Sequence, residues 1–403
     1  MPKSAKLSLL AVSVVVLLGL FLGVNWHGVQ AASDGQQATE GAYRQINVYQ
    51  EVLEHIQNDY VEDPNIGKVT HGALRGLMES LDPDSGYLSP ADYKTWKSGT
   101  HGKAQVGLNV SKRYGYATVV SVVPGSPADK ADLNDGDIIE AIENHDTRDI
   151  SLPMIKLMLE GAPGSELKLA VLRPRSATPD KITLNRVVVQ SPAVADAMYE
   201  NSSILYLKPV SLDHEHVSVV EAKLKGMNKG TTKKVLLDLR DVASGDMSEG
   251  VRLANFFVAS GTLATLEGQK VPKQTFAAEA NKAVNTSAPV VVLVNRGTYG
   301  AAELAAVAIA DNKRGDLVGE RTFGEGSQQK TFELPDGGAL IMSVAKYKSP
   351  GGKKFEDEGV TPATLVASTD ATAESTKDKK VKPTAASDDQ LNKALEVLKA
   401  KSA

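Results

Sequence analysis

A chain of 403 residues, 42% hydrophobic and 23% charged, is long enough for two or three domains with cores of their own. Its net charge of −4 lacks the clustered basic excess that nucleic-acid binding draws on, and the absence of cysteine excludes disulfides, thiol catalysis and Cys-based zinc sites. The last of seven histidines is His216, so nothing after it offers an imidazole for acid–base work.

Lys3 and Lys6 precede an apolar run from Leu7 to Val24, with Trp26 after it and a small-residue cleavage site at Val29-Gln30-Ala31. The run is longer than a signal-peptide core and shorter than a comfortable span. Residues 1–31 therefore read as a signal peptide or a signal anchor held by residues 7–24. Either way the remainder crosses a membrane, to a periplasmic or otherwise extracytoplasmic place. Residues 32–100 form an N-terminal helical region. It opens with a polar stretch to Glu40, after which Ile46, Tyr49, Val52, Leu53, Ile56 and Tyr60 recur at helical spacing. A second helix carries Ile66, Val69, Ala73, Leu74, Leu77 and Met78. The following LDPDSGYLSP reads as a turn and helix cap. Asp82, Asp84 and Ser85 lack the closing glutamate of a calcium loop, and no metal site is expected there.

Residues 101–189 read as a β-rich module opened by Gly107-Leu108-Asn109-Val110. Ala117 to Val122 is a strand, and Pro124 to His145 supplies a short helix, a turn at Asp135-Gly136 and a strand at Ile138 to Ile142. A helix from the Ser151 cap through Leu159 and a strand from Glu166 to Leu172 complete it. This stretch resembles a PDZ domain. The resemblance implies that Gly107, Leu108, Asn109 and Val110 cradle a peptide's terminal carboxylate, that the peptide adds a strand to the sheet edge, and that Met154, Leu157 and Met158 shape an apolar pocket.

Residues 190–367 turn α/β. Strands at Ile204 to Val210, Lys234 to Leu239 and Val290 to Val294 alternate with helices at Glu215 to Met227, Glu249 to Val258 and from near Gly300. Strands separated by helices predict a largely parallel sheet covered on both faces, with ligands at the strands' C-terminal ends, where Asp238-Leu239-Arg240 and Asn295 stand. Asp238 and Arg240 read as a structural ion pair or as part of a cleft, and Asp213-His214-Glu215-His216 as a solvated loop in preference to a weak metal site. Glu303 reads as compensation of its helix dipole. Gly324 and Gly326 lack the lysine and hydroxyl of a nucleotide loop, and no cofactor is expected. Residues 368–387 form a flexible linker, and residues 388–403 an amphipathic helix whose apolar face needs cover from this core or from a second subunit.

The order of these parts, a membrane-targeting segment, paired helices, LDPDSGYLSP, the PDZ-like module, DLR, VVVLVNRG, ELAAVAIADNKRGDLVGERTFGEG and KYKSPGGKKFEDEGVTP, resembles the C-terminal processing, or tail-specific, serine peptidases. The resemblance implies an α/β core of the ClpP/crotonase-like kind with an inserted PDZ domain and N-terminal helices. It also implies a serine nucleophile, activated by a neutral lysine that a glutamine steadies. The family's Asn-x-Gly-Ser-Ala-Ser-Ala-Ser-Glu pattern falls on residues 295–303 and puts Gly300 at the nucleophile; Thr-Phe-Gly-Lys-Gly falls on 322–326 and puts Glu325 at the general base. The glutamine survives as Gln329, and Gly245, in the altered Val242-Ala243-Ser244-Gly245, still offers a backbone N–H to an oxyanion hole.

The expectation is thus an exported, PDZ-bearing homologue that binds protein C-termini or unfolded segments and has lost the hydrolytic dyad. Its partners would include further copies of itself or an active relative, no nucleic acid, and the membrane if the leader stays uncleaved. The alternatives are an active peptidase with a substitute nucleophile, for which Thr298 is the neighbouring hydroxyl, and a regulatory subunit of an active relative.

Overall fold

A computed structural model of the chain describes residues 44–99, 104–174, 176–227, 233–368 and 388–402. The leader read at 1–31, the polar stretch before residue 41 and the linker beyond Ser368 lie outside the described residues. The chain divides into two compact units, Met1–Ala73 and Leu74–Ala403. The first holds α1, described over residues 44–59, and the opening turns of α2 (Ile66–Glu79), where Asn65 Oδ1 accepts the Lys68 N–H at 2.9 Å and so caps the helix.

In the second unit, Asp82 Oδ1 accepts the N–H groups of Asp84 and Ser85 at 3.0 and 2.7 Å. That turn, expected from the sequence, reverses the chain into a short strand that was not expected, β1 (Gly86–Leu88), antiparallel to a late strand. Ser89 then caps α3 (Pro90–Ser98), whose Pro90 sits in the first turn where a missing N–H costs nothing.

The PDZ-like module is an antiparallel sheet of β2 (Leu108–Arg113), β3 (Tyr116–Val122), β4 (Ile138–Ile142), β5 (His145–Asp146), β6 (Glu166–Leu172) and β7 (Asp180–Asn185), with the short α4 (Pro127–Lys130) and the longer α5 (Leu152–Leu159). Tyr114 and Gly115 join β2 to β3 with φ of 53° and 83°, the two positive values a two-residue hairpin turn needs to match the strand twist. In the strand order β2-β3-β4-β6-β7, β2 is an edge. Its core is a single cluster that includes Val110, Val119, Ile139, Ile155 and Leu167. Arg186 closes the end of α5 by donating to the carbonyls of Met158 and Leu159 at 2.7 and 3.2 Å.

The remaining chain builds a parallel sheet from β8 (Ala195–Tyr199), β9 (Ile204–Lys208), β10 (Lys234–Asp238), β13 (Val290–Val294), β14 (Gly315–Gly319) and β17 (Thr364–Leu365), in the order β17-β14-β13-β10-β9-β8, with only β8 antiparallel. β13 is apolar at all five positions because both of its faces are buried. One face packs under α6 (His214–Met227), α7 (Met247–Asn255) and α8 (Ala301–Asp311), through Leu205, Leu237, Val292 and Leu304. The opposite face, with Ile204, Leu236, Val291 and Leu293, is covered by Leu391, Ala394 and Leu398 of α9 (Asp389–Ala400). A second sheet contains β1, β11 (Thr262–Glu267), β12 (Gln274–Ala277), β15 (Ser327–Glu333) and β16 (Ala339–Lys348), with β16 at its centre.

The terminal helix therefore finds its cover on this core. Asp388 caps its start by accepting the Leu391 N–H, and also accepts from Arg240 Nη1, both at 2.9 Å; Lys234 Nζ reaches the last carbonyls, including Lys401 O at 2.6 Å. Arg240 binds the fully buried Asp238 through Nε and Nη2, and Tyr206 donates to the same carboxylate at 2.8 Å. Of the two readings of Asp238 and Arg240, the buried structural pair is the one observed. The expected loop around His214 and His216 is instead the first turn of α6. His216 is bonded between Asp213 and the Pro192 carbonyl, and His214 faces Glu249 and Arg252, because Asp213 caps the helix and draws the chain into it.

Candidate functional site

The turn after β13 is fixed by its own side chains. Asn295 Oδ1 accepts the N–H groups of Asp241 and Gly297 at 3.0 and 3.1 Å, and its amide donates to Asp241 Oδ1 at 2.7 Å. Thr298 is fully buried: its hydroxyl accepts the Asn295 N–H at 3.0 Å and donates to the Leu239 carbonyl at 2.8 Å. The hydroxyl weighed as a substitute nucleophile is thus committed to holding the turn. Gly300 follows at φ 56° and ψ −111°, a backbone state that side-chain-bearing residues rarely take, and opens α8.

Glu303 joins this turn to the Gly-rich loop. One carboxylate oxygen accepts the Gly300 N–H at 2.9 Å and the Glu325 N–H at 2.8 Å; the other accepts the Gly324 N–H at 2.7 Å and the Thr322 hydroxyl. Dipole compensation describes only part of this role. Complete burial pushes the Glu303 carboxyl up to about 7, against the opposing pull of its four donors. Gly324, at φ 101°, has room for no side chain, since a Cβ would lie 2.8 Å from the Gly359 nitrogen.

The clamp sets Glu325 opposite Gly300: a Cβ built on Gly300 would lie 3.9 Å from Glu325 Cγ and 4.0 Å from Met247 Cε. Space for a side chain remains there. Glu325 Oε1 accepts the N–H and hydroxyl of Ser327 at 2.9 and 2.7 Å. Asp84 and Glu356 complete a buried carboxyl trio whose oxygens lie within 4.8 Å of one another. Burial first, then a hydrogen bond with Asp84 and the charges of Asp84 and Glu356, push Glu325 well above the usual carboxyl range. Glu356 is pushed up to about 7 mainly by burial, accepts the Gly326 N–H at 2.6 Å, and lies 3.6 Å from Lys346 Nζ. Oxygen ligands at this spacing are of the type that holds a hard cation, and their mutual repulsion adds to burial in raising Glu325. Gln329 supports the same cluster indirectly, donating to the Asp84 carbonyl at 2.7 Å.

Gly245 lies beside Leu212 in a parallel bridge, at φ 132°, and a Cβ there would meet the Leu212 carbonyl oxygen at 2.4 Å. Its segment is tied to the turn by the Tyr299 N–H donating to Val242 O at 3.1 Å. Tyr299 stands between the carboxyls' loop and the PDZ-like module: its ring packs on Phe323 with centres 5.2 Å apart, and burial, then the charges of Glu325 and Asp84, push its hydroxyl well above its ordinary range. With Ala243 it walls a cavity of about 180 Å³ whose other sides are Leu108, Asn109 and Val110 of β2 and Lys156 and Leu159 of α5. Gly107 sits at the head of this strand, at φ 83°, and a Cβ would come within 2.2 Å of Ser126. Of the helix residues expected to shape a pocket, Met154 packs with Leu88, Tyr93 and Trp96, Leu157 is buried, and Met158 packs on the module's own core; the cavity takes its helical wall from Lys156 and Leu159. Ser327, Glu356 and Tyr299 are site residues that sequence reasoning did not single out, and Asp84, read from the sequence only as part of a turn, joins them.

The pattern of peptidase family S41 matches residues 203–366, and that of a PDZ domain matches 118–173. The carboxyl-terminal-processing protease of Picosynechococcus sp. is 31% identical over 300 residues, covering 73% of this chain and 72% of that protein. The chain belongs to peptidase family S41. The chloroplastic carboxyl-terminal-processing peptidase 2 of Arabidopsis thaliana is 31% identical over 315 residues, 75% of this S41 chain but only 61% of the plant protein. A solved structure of the photosystem II D1 C-terminal processing protease superposes with a TM-score of 0.66 at 25% identity, covering 79% of this chain and 92% of the other. The fold is accordingly that of an S41 peptidase core with a PDZ domain. Among the described residues of this S41 member, no helix is long and apolar enough to cross a membrane.

Proposed function

We propose that this S41 member is exported and binds polypeptide C-termini without hydrolysing them. The observation that carries the reading is the facing pair Gly300 and Glu325. The position that the family pattern gives to the nucleophile has no side chain, and the position given to the base is a carboxyl that burial, with Asp84 and Glu356 beside it, pushes well above the usual range. Recognition is retained: β2 is a free sheet edge beside α5, and Gly107 to Val110 lead into a cavity of a size for one or two peptide residues. Tyr299 brings the peptidase turn to the bottom of that groove, so a bound C-terminus would touch both domains.

The test incubates the purified full chain with an unfolded protein ending in an apolar residue. The expected result is saturable binding, lost when the C-terminus is amidated, with no cleavage products. Products that vanish in a single-residue variant overturn it. One observation favours a second reading: the Ser327 hydroxyl donates to Glu325 at 2.7 Å, a hydroxyl–carboxyl pair of the nucleophile–base kind. Cleavage abolished by Ser327→Ala would establish that reading in place of the first.

A further inference from the structure

A second recognition surface lies on the core, away from the PDZ groove. The segment from Gly268 to Lys273 between β11 and β12 arches over β16 and leaves an open cleft of about 740 Å³. Its place is fixed, because Gly268 presses on the strand so closely that a Cβ would come within 1.9 Å of the Val344 carbonyl oxygen. Lys270, Lys273, Lys346, Lys348 and Lys354 line the cleft against the single carboxylate of Glu267, a formal excess of four positive charges in a chain whose net charge is −4. Glu267 is already bonded to Lys348, and Lys346 lies 3.6 Å from Glu356. Lys270, Lys273 and Lys354 are exposed. Like charges gathered along one cleft repel, and an anion in the cleft would relieve them.

We propose that this cleft binds an acidic segment of extended polypeptide. The volume far exceeds one small anion and suits several residues. Lys346 and Lys348 alternate with the buried Ala345 and Tyr347 on one regular stretch of β16, so they stand on one face roughly 6.7 Å apart. Alternate side chains of an extended peptide have the same spacing, so acids at positions i and i+2 meet both lysines in register. Through Lys346 and Glu356 the cleft reaches the carboxyl trio behind Gly300, which places an acidic segment beside the site. The proposal does not depend on the PDZ groove.

The experiment titrates the full chain into a fluorescent octapeptide of alternating Glu and Ala, acetylated and amidated so that no terminal carboxylate can engage the PDZ domain, and reads anisotropy. Saturable binding that weakens with salt is expected, with a loss of about tenfold or more in the triple variant Lys270→Gln, Lys273→Gln, Lys354→Gln. The triple variant changes only exposed side chains, and an unchanged thermal melt confirms its fold. The Gln-for-Glu peptide should not bind, and millimolar orthophosphate should not displace the acidic one. No saturable binding, equal affinity in the triple variant, displacement by orthophosphate, or tighter binding of single-stranded DNA overturns the proposal. Retention of C-terminal peptide binding in any of these cases separates this failure from a failure of the PDZ reading.

Discussion

The backbone N–H of Gly300 donates to Glu303 Oε2 at 2.9 Å, and with that one bond the helix holds the turn that precedes it. The remaining acceptor sites of Glu303 hold Thr322, Gly324 and Glu325, so one side chain sets the distance between the two segments of the site. Glu303→Gln would turn an NH₂ group toward backbone donors that have no water to fall back on. Either oxygen of Glu303 serves two donors and each stranded buried donor costs about 1–3 kcal/mol, so the variant should lose about 2–6 kcal/mol in urea unfolding. A loss under about 1 kcal/mol would count against the clamp.

Gly300→Ser tests the turn from the other side. The added Cβ has ordinary contacts, 3.9 Å to Glu325 and 4.0 Å to Met247, so crowding contributes little. The backbone angles of 56° and −111° remain, and a non-glycine residue held there costs about 1–3 kcal/mol. Chemical unfolding should return a loss in that range with the fold intact by circular dichroism. A stability equal to the parent would mean that the turn relaxes and that the glycine is not required by conformation.

The buried carboxyls give the protein an unusual pH dependence. Glu325 is raised well above the usual range, and Glu303 and Glu356 are raised to about 7, burial being the first cause in each. The folded form holds these protons to higher pH than the unfolded chain does, where such groups titrate near 4.5. Between about 4.5 and 7 the native state therefore binds more protons than the unfolded state, and stability falls as pH rises. The melting temperature should be higher at pH 5.5 than at pH 8, and Glu325→Gln, which keeps a neutral side chain at every pH, should flatten the difference. An equal or greater melting temperature at pH 8 would exclude net protonation of the trio.

Much of this frame is legible in the chain because its signals are local. Val290 to Val294 reads as a doubly buried strand since every position is apolar, and the glycines at 324 and 326 mark a tight loop. Asp84 is a different case. Its neighbours form a turn of ordinary composition, and its role depends on Glu325, which only tertiary structure brings near. The sequence of α5, Leu-Pro-Met-Ile-Lys-Leu-Met-Leu, is apolar on nearly every side, so no periodicity separates the face toward the groove from the face toward Leu88 and Tyr93. Lys156 at the cavity wall is hidden for the same reason. β7 and β8 escape notice as edge strands, with few of their residues buried.

Arg113 carries the last prediction. It leaves the end of β2, donates through Nη2 to the Phe323 carbonyl at 2.5 Å, and places its guanidinium 4.1 Å from the centre of the Phe323 ring. Phe323 packs in turn against Tyr299, with ring centres 5.2 Å apart, and Tyr299 walls the groove. A second link, Arg296 to Asp135 at 3.4 Å, is more exposed and holds more weakly. The PDZ domain thus reaches the loop that carries Glu325 through Arg113. Arg113→Ala should leave each domain folded while loosening that contact, by about 1–2 kcal/mol for the paired hydrogen bond and ring contact. Amide exchange should rise selectively around Thr298 to Gly300 and Phe323, and C-terminal peptide affinity should fall with the loss of Tyr299 from the groove. Arg113→Lys should recover little, since an ammonium lacks the flat face that lies over the ring. Unchanged exchange at Tyr299 in Arg113→Ala would show that the groove and the site are held together by other contacts.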